Sequence, residues 1–442
     1  MDGTPSLEFI STRQLKIVQL ARDNPQSALT TLAHHIDIVW LREAYRRTRK
    51  DGAVGIDGQT GAKYEEQLEE NLSDLLDRFK SGRYRAPPVR RVYIPKGNGK
   101  RRPIGIPTFE DKVLQRAVLM VLEPIYEQTF RDFSFGFRPG RSAHQALEVL
   151  WKSIMGLKDV WLIELDIQNF FDHVNHKVLR DMLAQRVADG VLRRAIGKWL
   201  KAGTMEEGRR VQSSSGTPQG GVVSPLLANL YLHTVLDEWF CNEVRPRLGS
   251  RAFIVRYADD AVLGFESEAD ARRVLEVLHK RFSKFDLTLH PEKTRLIHLP
   301  RPDKAYSAAK KRSFSFLGLT HFWARSRKGN WIIRRKTSKD RFSRSLKAMA
   351  IWCRKYRHAP VMWQHHQLGL KLRGHYAYYG ITGNSRSLGC YRYAVERIWF
   401  KWLNRRSNRG VIKWDRFAPF LDRSPLPTPR IVHSAVNRLV PS

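Results

Sequence analysis

The sequence has few of the features that mark secreted or membrane proteins. Its three cysteines, Cys241, Cys353 and Cys390, lie far apart and form no CxxC pair, so they predict no disulfide framework and fit a reducing compartment. No run approaches the ~18 consecutive apolar residues of a membrane helix. The first residues also lack the basic and apolar regions of a signal peptide. We therefore expect a cytoplasmic protein with no membrane partner.

Acidic residues are scarce in the last third of the chain. Residues 301–442 hold 32 Lys and Arg against 5 Asp and Glu, whereas residues 1–300 hold 46 against 38. The last third also contains seven of the 12 tryptophans and seven of the 14 tyrosines. A net charge of +35 is unfavourable unless a polyanion screens it, and basic residues among aromatic ones suit phosphate contacts and base stacking. The split predicts a catalytic body followed by a nucleic-acid-binding module, with a boundary near residues 300–335.

The apolar patterning is that of a globular protein with both helices and strands. At roughly 100–200 residues a domain, 442 residues suggest two to four structural units. Alternating and apolar runs predict a hairpin over 88–108, a buried strand over 159–166 and a strand–turn–strand over 252–265. Helical patterns cover 11–50, 64–81, 110–128, 174–203 and 268–285, and after residue 338 the pattern is entirely helical.

Three carboxylates follow apolar strands. Asp259 and Asp260 are adjacent at the turn between two apolar strands, and Asp166 ends a strand of its own. Adjacent carboxylates repel each other unless they share a cation. If the strands are neighbours, Asp166 and Asp259 converge on a magnesium site of the kind that serves nucleotidyl transfer. Alone, an Asp-Asp pair at a hairpin more often marks an ordinary turn, so this interpretation depends on the other elements.

Two further segments have the composition of a nucleotide site. The loop Gly216-Thr217-Pro218-Gln219-Gly220-Gly221 runs into a helix, and its glycines allow a nucleotide to approach the backbone closely. Lys96 and Arg102 lie on the predicted hairpin, where they could pair with a triphosphate. The alternative for these two residues is that they are solvated charges among many.

Taken together, these segments resemble reverse transcriptases. More specifically, they resemble the group II intron-encoded reverse transcriptase/maturase family, in a form that lacks an HNH endonuclease domain. The likeness covers roughly residues 35–435 in the order of the family. The segments that carry it are Ile94-Pro95-Lys96, 102–107, 134–143, Asp166 with 170–172, 217–221, 257–260, 290–294, 316–318, 378–385 and 427–434.

The resemblance implies a metal site. Asp166 and Asp259 would be the metal-binding carboxylates, and Asp260 would complete the catalytic triad. The backbone carbonyl of Ile167 would help to hold one ion. The cofactor would be two Mg²⁺ ions, with Mn²⁺ as a substitute. The reaction implied is attack of a primer 3′-hydroxyl on the α-phosphate of a dNTP, with pyrophosphate leaving.

The resemblance also implies nucleotide-binding residues. Phe171 matches the steric gate that disfavours a 2′-hydroxyl, because a ring against the sugar leaves no room for an oxygen; the alternative is an ordinary core phenylalanine. Gln219 would contact the incoming nucleotide or its base pair. Lys96 and Arg102 would hold the triphosphate, and Lys293 would assist the leaving pyrophosphate.

The fold implied is a right-hand polymerase of the α/β (α+β) class, with fingers, an antiparallel palm sheet and an all-helical thumb or maturase domain. We expect an N-terminal extension and the start of the fingers over residues 1–75. Fingers and palm would cover residues 76–325, and the RNA-binding thumb residues 326–442.

The function implied is RNA-directed DNA polymerase activity, together with a maturase activity that binds intron RNA and assists its splicing and mobility. The partners would be an RNA template, intron RNA, a DNA or RNA primer and dNTPs, in a bacterial, nucleic-acid-associated setting. Many members of the family carry an HNH nuclease with paired cysteines; no CxxC pair is present here, so we expect no DNA endonuclease.

Other functions remain open at this stage. One is a maturase that only chaperones RNA folding, although a pure binder would not need three converging carboxylates. Another is a domesticated reverse transcriptase that serves host defence or repair. An RNA polymerase with a similar palm is disfavoured by Phe171 at the sugar gate.

Overall fold

The computed structural model describes residues 4–97, 100–206, 209–211, 216, 220–302, 312–326, 328–407 and 411–433. The chain divides into two compact units. The first unit comprises Met1–Ala146 and Ile163–Leu296, and the second comprises Leu147–Leu162 and Ile297–Ser442.

The strands are β1 Val89–Gly97, β2 Lys100–Ile106, β3 Trp161–Leu165, β4 Thr204–Glu206, β5 Arg209–Val211, β6 Ala252–Tyr257, β7 Asp260–Phe265, β8 Arg295–His298, β9 Ser313–Phe316, β10 Leu319–Arg325 and β11 Trp331–Thr337. The helices are α1 Thr4–Asp23, α2 Ile38–Arg46, α3 Gly61–Glu65, α4 Leu68–Ser81, α5 Phe109–Glu127, α6 Ala143–Gly156, α7 Phe170–His173, α8 His176–Ala184, α9 Gly190–Lys201, α10 Ser224–Leu232, α11 Glu268–Ser283, α12 Lys339–Lys355, α13 Val361–Tyr379, α14 Ser385–Leu403 and α15 Trp414–Arg423. After α10 the chain continues in π-helical turns over His233–Glu238 and Phe240–Val244 and a 3₁₀ turn over Arg245–Arg247.

The first helices depart from the single helical segment that the pattern over 11–50 suggests. α1 ends at Asp23, and α2 begins only at Ile38. Pro25 lies just after the end of α1, and the proline ring disfavours the helical conformation for the residue before it. Asp37 restarts the helix, because its carboxylate accepts a hydrogen bond from the Trp40 N–H at 2.9 Å.

The predicted hairpin over 88–108 is confirmed as β1 and β2, which pair antiparallel with Ile94 opposite Arg102. β1 also pairs in parallel with β4, giving a four-stranded sheet in the order β2-β1-β4-β5. The hairpin therefore belongs to a small sheet of the first unit, to which the short strands β4 and β5 contribute the other edge.

A second four-stranded sheet has the order β6-β7-β3-β8. β6 and β7 are antiparallel, with Tyr257 paired to Asp260 at the closed end. β3 and β8 also run in opposite directions, since the Leu299 N–H donates to the Val160 carbonyl at 2.7 Å while Arg295 pairs with Glu164. The predicted strand over 159–166 and the strand–turn–strand over 252–265 are both confirmed.

The second unit contains a three-stranded antiparallel sheet in the order β11-β10-β9. β11 lies within residues 326–442, so the expectation of an all-helical domain there needs correction. The burial of Ile333, Arg335 and Thr337 alternates along β11, as expected for a strand. The charged residues Arg334, Arg335 and Lys336 obscured this alternation in the sequence.

The helices after residue 338 form the core of the second unit, as their apolar spacing predicts. Met349 and Cys353 of α12 are buried with Val395, Trp399 and Leu403 of α14. Most of the tryptophans and tyrosines in this core are therefore packing residues. None of the described helices is long and apolar enough to cross a membrane.

The three cysteines are free: Cys353 is buried, Cys241 is half-buried and Cys390 is exposed. This agrees with the prediction that they form no disulfide framework.

Candidate active site

Asp259 lies in the tight turn between β6 and β7. Ala258, just before it, has a φ of 57°, a left-handed conformation that is costly for a residue with a side chain. A Cβ atom on Gly136 would lie 2.2 Å from the Ala258 nitrogen, so the loop around Gly136 packs directly on this turn. The surroundings therefore hold Ala258 in a conformation that it would not adopt alone, and this fixes the turn that carries Asp259.

The fully buried Arg256 supports the same turn through hydrogen bonds. The Arg256 side chain donates hydrogen bonds to Asp237 Oδ1 at 2.8 Å, to Asn229 Oδ1 at 2.9 Å and to the Ala258 carbonyl at 3.1 Å. Burial alone would raise the pKa of Asp237, but the charge and hydrogen bonds of Arg256 outweigh it and lower that pKa. The pair is ionised, and it anchors the turn to the helix that bears Asp237.

Asn229 extends this support to the neighbouring loop, because its side-chain amide donates to the Gly136 carbonyl at 2.7 Å. Arg256, Asp237 and Asn229 are not among the site residues predicted from the sequence. The available signal was polar residues inside apolar segments: an arginine within a buried strand, and an aspartate and an asparagine within apolar helices.

Asp166 follows the end of β3, and its backbone is fixed by the segment after α11. Its carbonyl accepts from the His290 N–H at 2.8 Å, and its N–H donates to the Thr294 hydroxyl at 3.3 Å. Its carboxylate pairs with the Lys293 ammonium, with Nζ 3.1 Å and 3.3 Å from the two oxygens. The Lys293 side chain is 55% exposed, and exposed pairs of this kind contribute little to stability. Lys293 can therefore leave Asp166 at small cost when another cation arrives.

Ile167 forms an antiparallel bridge with Leu289. The hydrogen bonds flanking the bridge run from the Gln168 N–H to the Thr288 carbonyl and from the His290 N–H to the Asp166 carbonyl. This is the non-hydrogen-bonded type of pair, so the Ile167 carbonyl points away from the Leu289 segment.

Asp166 and Asp260 lie at the ends of neighbouring strands. Asp260 begins β7, Asp166 follows the end of β3, and β7 and β3 are adjacent in the sheet. Carboxylate and carbonyl oxygens are ligands suited to Mg²⁺, so the donor chemistry fits the ion. Among the residues that the structure describes, however, no group of three or more His, Cys, Asp and Glu side chains is arranged to hold a metal ion. The three-carboxylate metal site stays a prediction.

Phe171 lies in the short helix α7, half-buried, with its ring edge-on to Phe170 at 5.3 Å between centroids. A Cβ on Gly216 would lie 3.0 Å from the Phe171 carbonyl, and the Gly216 N–H donates to the Val174 carbonyl at 2.8 Å. The glycine-rich loop therefore starts against the helix of the predicted sugar gate. Gln219 lies outside the described residues.

The other end of this loop meets the hairpin. A Cβ on Gly220 would lie 2.4 Å from the Gly105 carbonyl of β2. Arg102, also on β2, is exposed. The backbone of Lys96 belongs to β1, and its side chain lies outside the described part of the structure. The two described glycines of the loop thus lie against the Phe171 helix and the hairpin.

The second unit presents aromatic rings and basic groups together at its surface. Trp352 and Trp363 stack at 5.9 Å between centroids, and Tyr356 lies 5.3 Å from Trp363. The Lys371 ammonium lies 5.2 Å over the Trp352 ring, and the Lys355 ammonium lies 5.2 Å over the Tyr356 ring. Trp363 is 41% exposed, so one ring of this aromatic cluster faces solvent.

Comparison with known proteins places the sequence in a family. The profile of the family described as reverse transcriptase (RNA-dependent DNA polymerase) matches residues 94–321, just over half of the chain. The chain belongs to the reverse transcriptase family. The family that the sequence motifs predicted is thereby confirmed, and membership makes nucleic acid its partner.

Several curated relatives refine the placement. This reverse transcriptase is 35% identical to protein YkfC of Escherichia coli over 331 residues, which cover 66% of the chain and 85% of that protein. It is 46% identical over 166 residues to the group II intron-encoded protein LtrA of Lactococcus lactis; that match covers 37% of the chain and about a quarter (27%) of LtrA. It is 32% identical over 114 residues to nuclear intron maturase 1 of Arabidopsis thaliana, covering 26% of the chain and 16% of that protein. These relatives support the group II intron-encoded branch of the family.

Proposed function

We propose that this protein is an RNA-directed DNA polymerase of the group II intron type, with a maturase activity that binds intron RNA and assists its splicing and mobility. The observation that carries the proposal is the position of the acids. Asp166 and Asp260 stand at the ends of neighbouring strands, inside the segment that matches the reverse transcriptase profile. The similarity to LtrA and to an intron maturase supports the second activity.

In the proposed reaction, a primer 3′-hydroxyl attacks the α-phosphate of a dNTP and pyrophosphate leaves. Two Mg²⁺ ions, or Mn²⁺ as a substitute, would be held by Asp166, Asp259, Asp260 and the Ile167 carbonyl. When bound, they would act as Lewis acids that stabilise charge on the attacking 3′-oxygen and on the oxygen of the leaving pyrophosphate. The buried Arg256 holds the Asp259 turn in place, so the carboxylate does not need to reorganise during the reaction.

Lys293 has a role in this proposal because it already neutralises Asp166. Once the carboxylate takes another cation, the Lys293 ammonium is released from the pair at a position next to the acid. There it would stabilise the charge of the leaving pyrophosphate.

The nucleotide would lie between the hairpin and the helix of Phe171. Arg102 and Lys96 would contact the triphosphate from the hairpin, and Gln219 would contact the base pair. The Phe171 ring would exclude a 2′-hydroxyl. The close contacts of Gly216 and Gly220 support this placement, because each glycine lies against one of these two neighbours.

The architecture proposed is a right hand. The β6-β7-β3-β8 sheet would be the palm, residues 76–325 would hold the fingers and palm after an N-terminal extension over 1–75, and residues 326–442 would form the thumb. RNA template, primer and intron RNA would be the partners. The exposed Trp363 with its basic neighbours supports an RNA-binding thumb, since unpaired bases stack on such rings.

Primer extension on an RNA template with dNTPs and Mg²⁺ tests the proposal. We expect extension by the unchanged protein, loss of extension in Asp259→Ala, and normal extension in Asp181→Ala, which removes an exposed carboxylate of α8. Structured-RNA binding should be the same in all three proteins. If none of them extends the primer but all bind structured RNA tightly, the protein is a splicing chaperone and the polymerase proposal fails.

The alternative of a domesticated reverse transcriptase concerns the biological setting, not the site. An intron RNA flanking the coding region would favour the maturase, and its absence would favour a role in defence or repair.

A further inference from the structure

A cavity of about 420 Å³ opens in the first unit, outside the candidate active site. One wall is the helical turn from Trp239 to Leu248, and the other is one face of α11 and the residue that follows it, Lys284. Eleven residues line the cavity, and they separate into an apolar floor and a basic rim. Its volume is within the range of sites that bind drug-sized ligands or single anchoring side chains.

The floor of this groove is apolar and partly open. Trp239, Val244 and Val274 are buried beneath it, whereas Val277 is 43% exposed at its surface. An open apolar floor gains free energy when a bulky apolar side chain covers it, at about 25 cal/mol for each Å² removed from water. The floor offers no exposed aromatic face, because Trp239 is only 7% exposed. A stacked RNA base is therefore a poor occupant.

The rim of the groove is strongly basic. Its only acid among the lining residues is Glu243, and the basic residues are Arg247, Arg273, Lys280, Arg281 and Lys284. The first unit as a whole is nearly balanced, with 44 Lys and Arg against 36 Asp and Glu. Arg273 already pairs with Asp270, just outside the groove. The remaining four basic residues against one acid are still a local concentration, and this favours a negatively charged occupant.

One cation of the rim is fixed in position. The Arg281 side chain donates to the Val235 carbonyl at 3.0 Å and to the Thr234 carbonyl at 3.1 Å, and its guanidinium lies 4.7 Å over the Phe285 ring. Its Nη1 lies 3.8 Å from Glu243, beyond hydrogen-bond distance. An incoming carboxylate would therefore meet a guanidinium that is already ordered and pays little entropy on binding.

We propose that this groove is a docking site for an acidic peptide segment of a partner protein that carries one bulky apolar side chain. The apolar side chain covers Val277, and the flanking carboxylates pair with Lys280, Arg247 and their neighbours. Apolar anchoring inside a charged rim is a usual arrangement for peptide recognition. An RNA backbone would use the rim but leave the floor uncovered, so the observations favour the peptide.

The experiment measures fluorescence anisotropy of a short labelled peptide, rich in aspartate with a single phenylalanine, titrated with the full chain. Two variants probe the floor and the rim, Val277→Ser and Lys280→Glu. The matched control is Arg272→Glu, which reverses a charge on the same helix outside the groove. We expect each groove variant to weaken binding about tenfold or more and the control to bind within about twofold of the unchanged chain.

A second peptide, with serine in place of phenylalanine, separates docking from simple charge attraction. Tenfold weaker binding of this peptide supports the proposal; equal binding overturns it, because the floor then contributes nothing. The proposal is also overturned if the groove variants lose affinity for duplex RNA while the peptide still binds, since the groove would then be a nucleic-acid surface. Thermal unfolding of each variant shows that a lost signal is not lost folding.

Discussion

The two units of the chain carry very different charge. The first has 44 Lys and Arg against 36 Asp and Glu, and the second has 34 against 7. Most of the net charge of +35 therefore lies in the second unit, and most of the carboxylates lie in the first. A site that needs several acids close together requires cations around it to compensate their charge. A basic surface that binds a polyanion requires no such compensation within the protein. The difference in charge therefore suits the first unit to the proposed catalysis and the second unit to the proposed RNA binding.

Two buried arginines, one from each unit, differ in the same way. In the first unit Arg256 is enclosed and paired with Asp237. In the second, Arg335 is buried on β11 opposite His321 of β10, and its Nε finds no hydrogen-bond partner in the described part of the chain. Burial lowers the pKa of Arg335 to about 10, and burial together with the Arg335 charge lowers the pKa of His321 to about 3. Among the described residues, Arg335 is therefore a buried cation without a compensating carboxylate, unlike Arg256.

The largest expected effect tests this difference directly. Arg256→Met leaves Asp237 as a buried, unpaired carboxylate and should destabilise the protein by about 3–5 kcal/mol. Arg335→Met removes a buried cation for which the described residues supply no acidic partner, so it should be neutral or stabilising. Urea unfolding of both variants gives the two free energies. Equal destabilisation by the two substitutions would remove the distinction between the units.

The pH dependence of stability provides the next test. Burial raises the pKa of Asp111, in the first unit, to about 7. The folded state then holds a proton that the unfolded state releases from about pH 4 upward, so stability falls as the pH rises toward 7. Asp111→Asn should remove this loss. Relative to the unchanged chain, we expect it to gain up to about 4 kcal/mol between pH 4 and pH 8.

His321, in the second unit, acts with the opposite sign. Its lowered pKa keeps it neutral in the folded state, while the unfolded state takes up a proton below pH 6.5. Stability is therefore lost as the pH falls from 6.5 toward 3. His321→Phe keeps a ring against Phe314, which lies 4.7 Å away, and should gain about 2 kcal/mol relative to the unchanged chain at pH 5. Melting curves of Asp111→Asn and His321→Phe over this pH range check the two opposite pH dependences. If the stability of both variants relative to the unchanged chain changed in the same direction with pH, the prediction would be wrong.

The third prediction concerns activity. Gly136→Ala places a methyl group 2.2 Å from the Ala258 nitrogen, so the Asp259 turn must move. A displacement of about 1 Å at a reacting group can cost about 10²-fold in rate. We expect such a loss in primer extension, with RNA binding unchanged. The control is Gly197→Ala in α9, where nothing lies within 4 Å. Full activity of Gly136→Ala would show that the turn tolerates movement.

The smallest effect is expected in the second unit. Trp363→Ala removes the exposed ring of the aromatic cluster, and base stacking contributes about 1–3 kcal/mol for each base. Single-stranded RNA should bind at least about fivefold more weakly, whereas thermal stability should change little. Tyr393→Ala, which removes another exposed ring of this unit, serves as the control. Equal losses in both variants would mean that the cluster has no special role.

The sequence was informative wherever local patterns decided the structure. The hairpin over 88–108, the strands around Asp259 and the helical faces of α12 and α14 follow from the alternation and spacing of apolar residues. β11 was missed because charged residues occupy part of its buried face. The break after Asp23 was missed because the apolar pattern continues beyond it.

By itself, the sequence determined the family, the acidic positions and the division of charge, since these depend on residue type and order along the chain. Only the tertiary structure decided which polar groups support the Asp259 turn. Arg256, Asp237, Asn229 and Gly136 are separated by up to 120 residues, and their pairing depends on which elements share a buried interior. Lys293 meets Asp166 for the same reason: the strands around them pair across more than a hundred residues, and backbone hydrogen bonding sets their register.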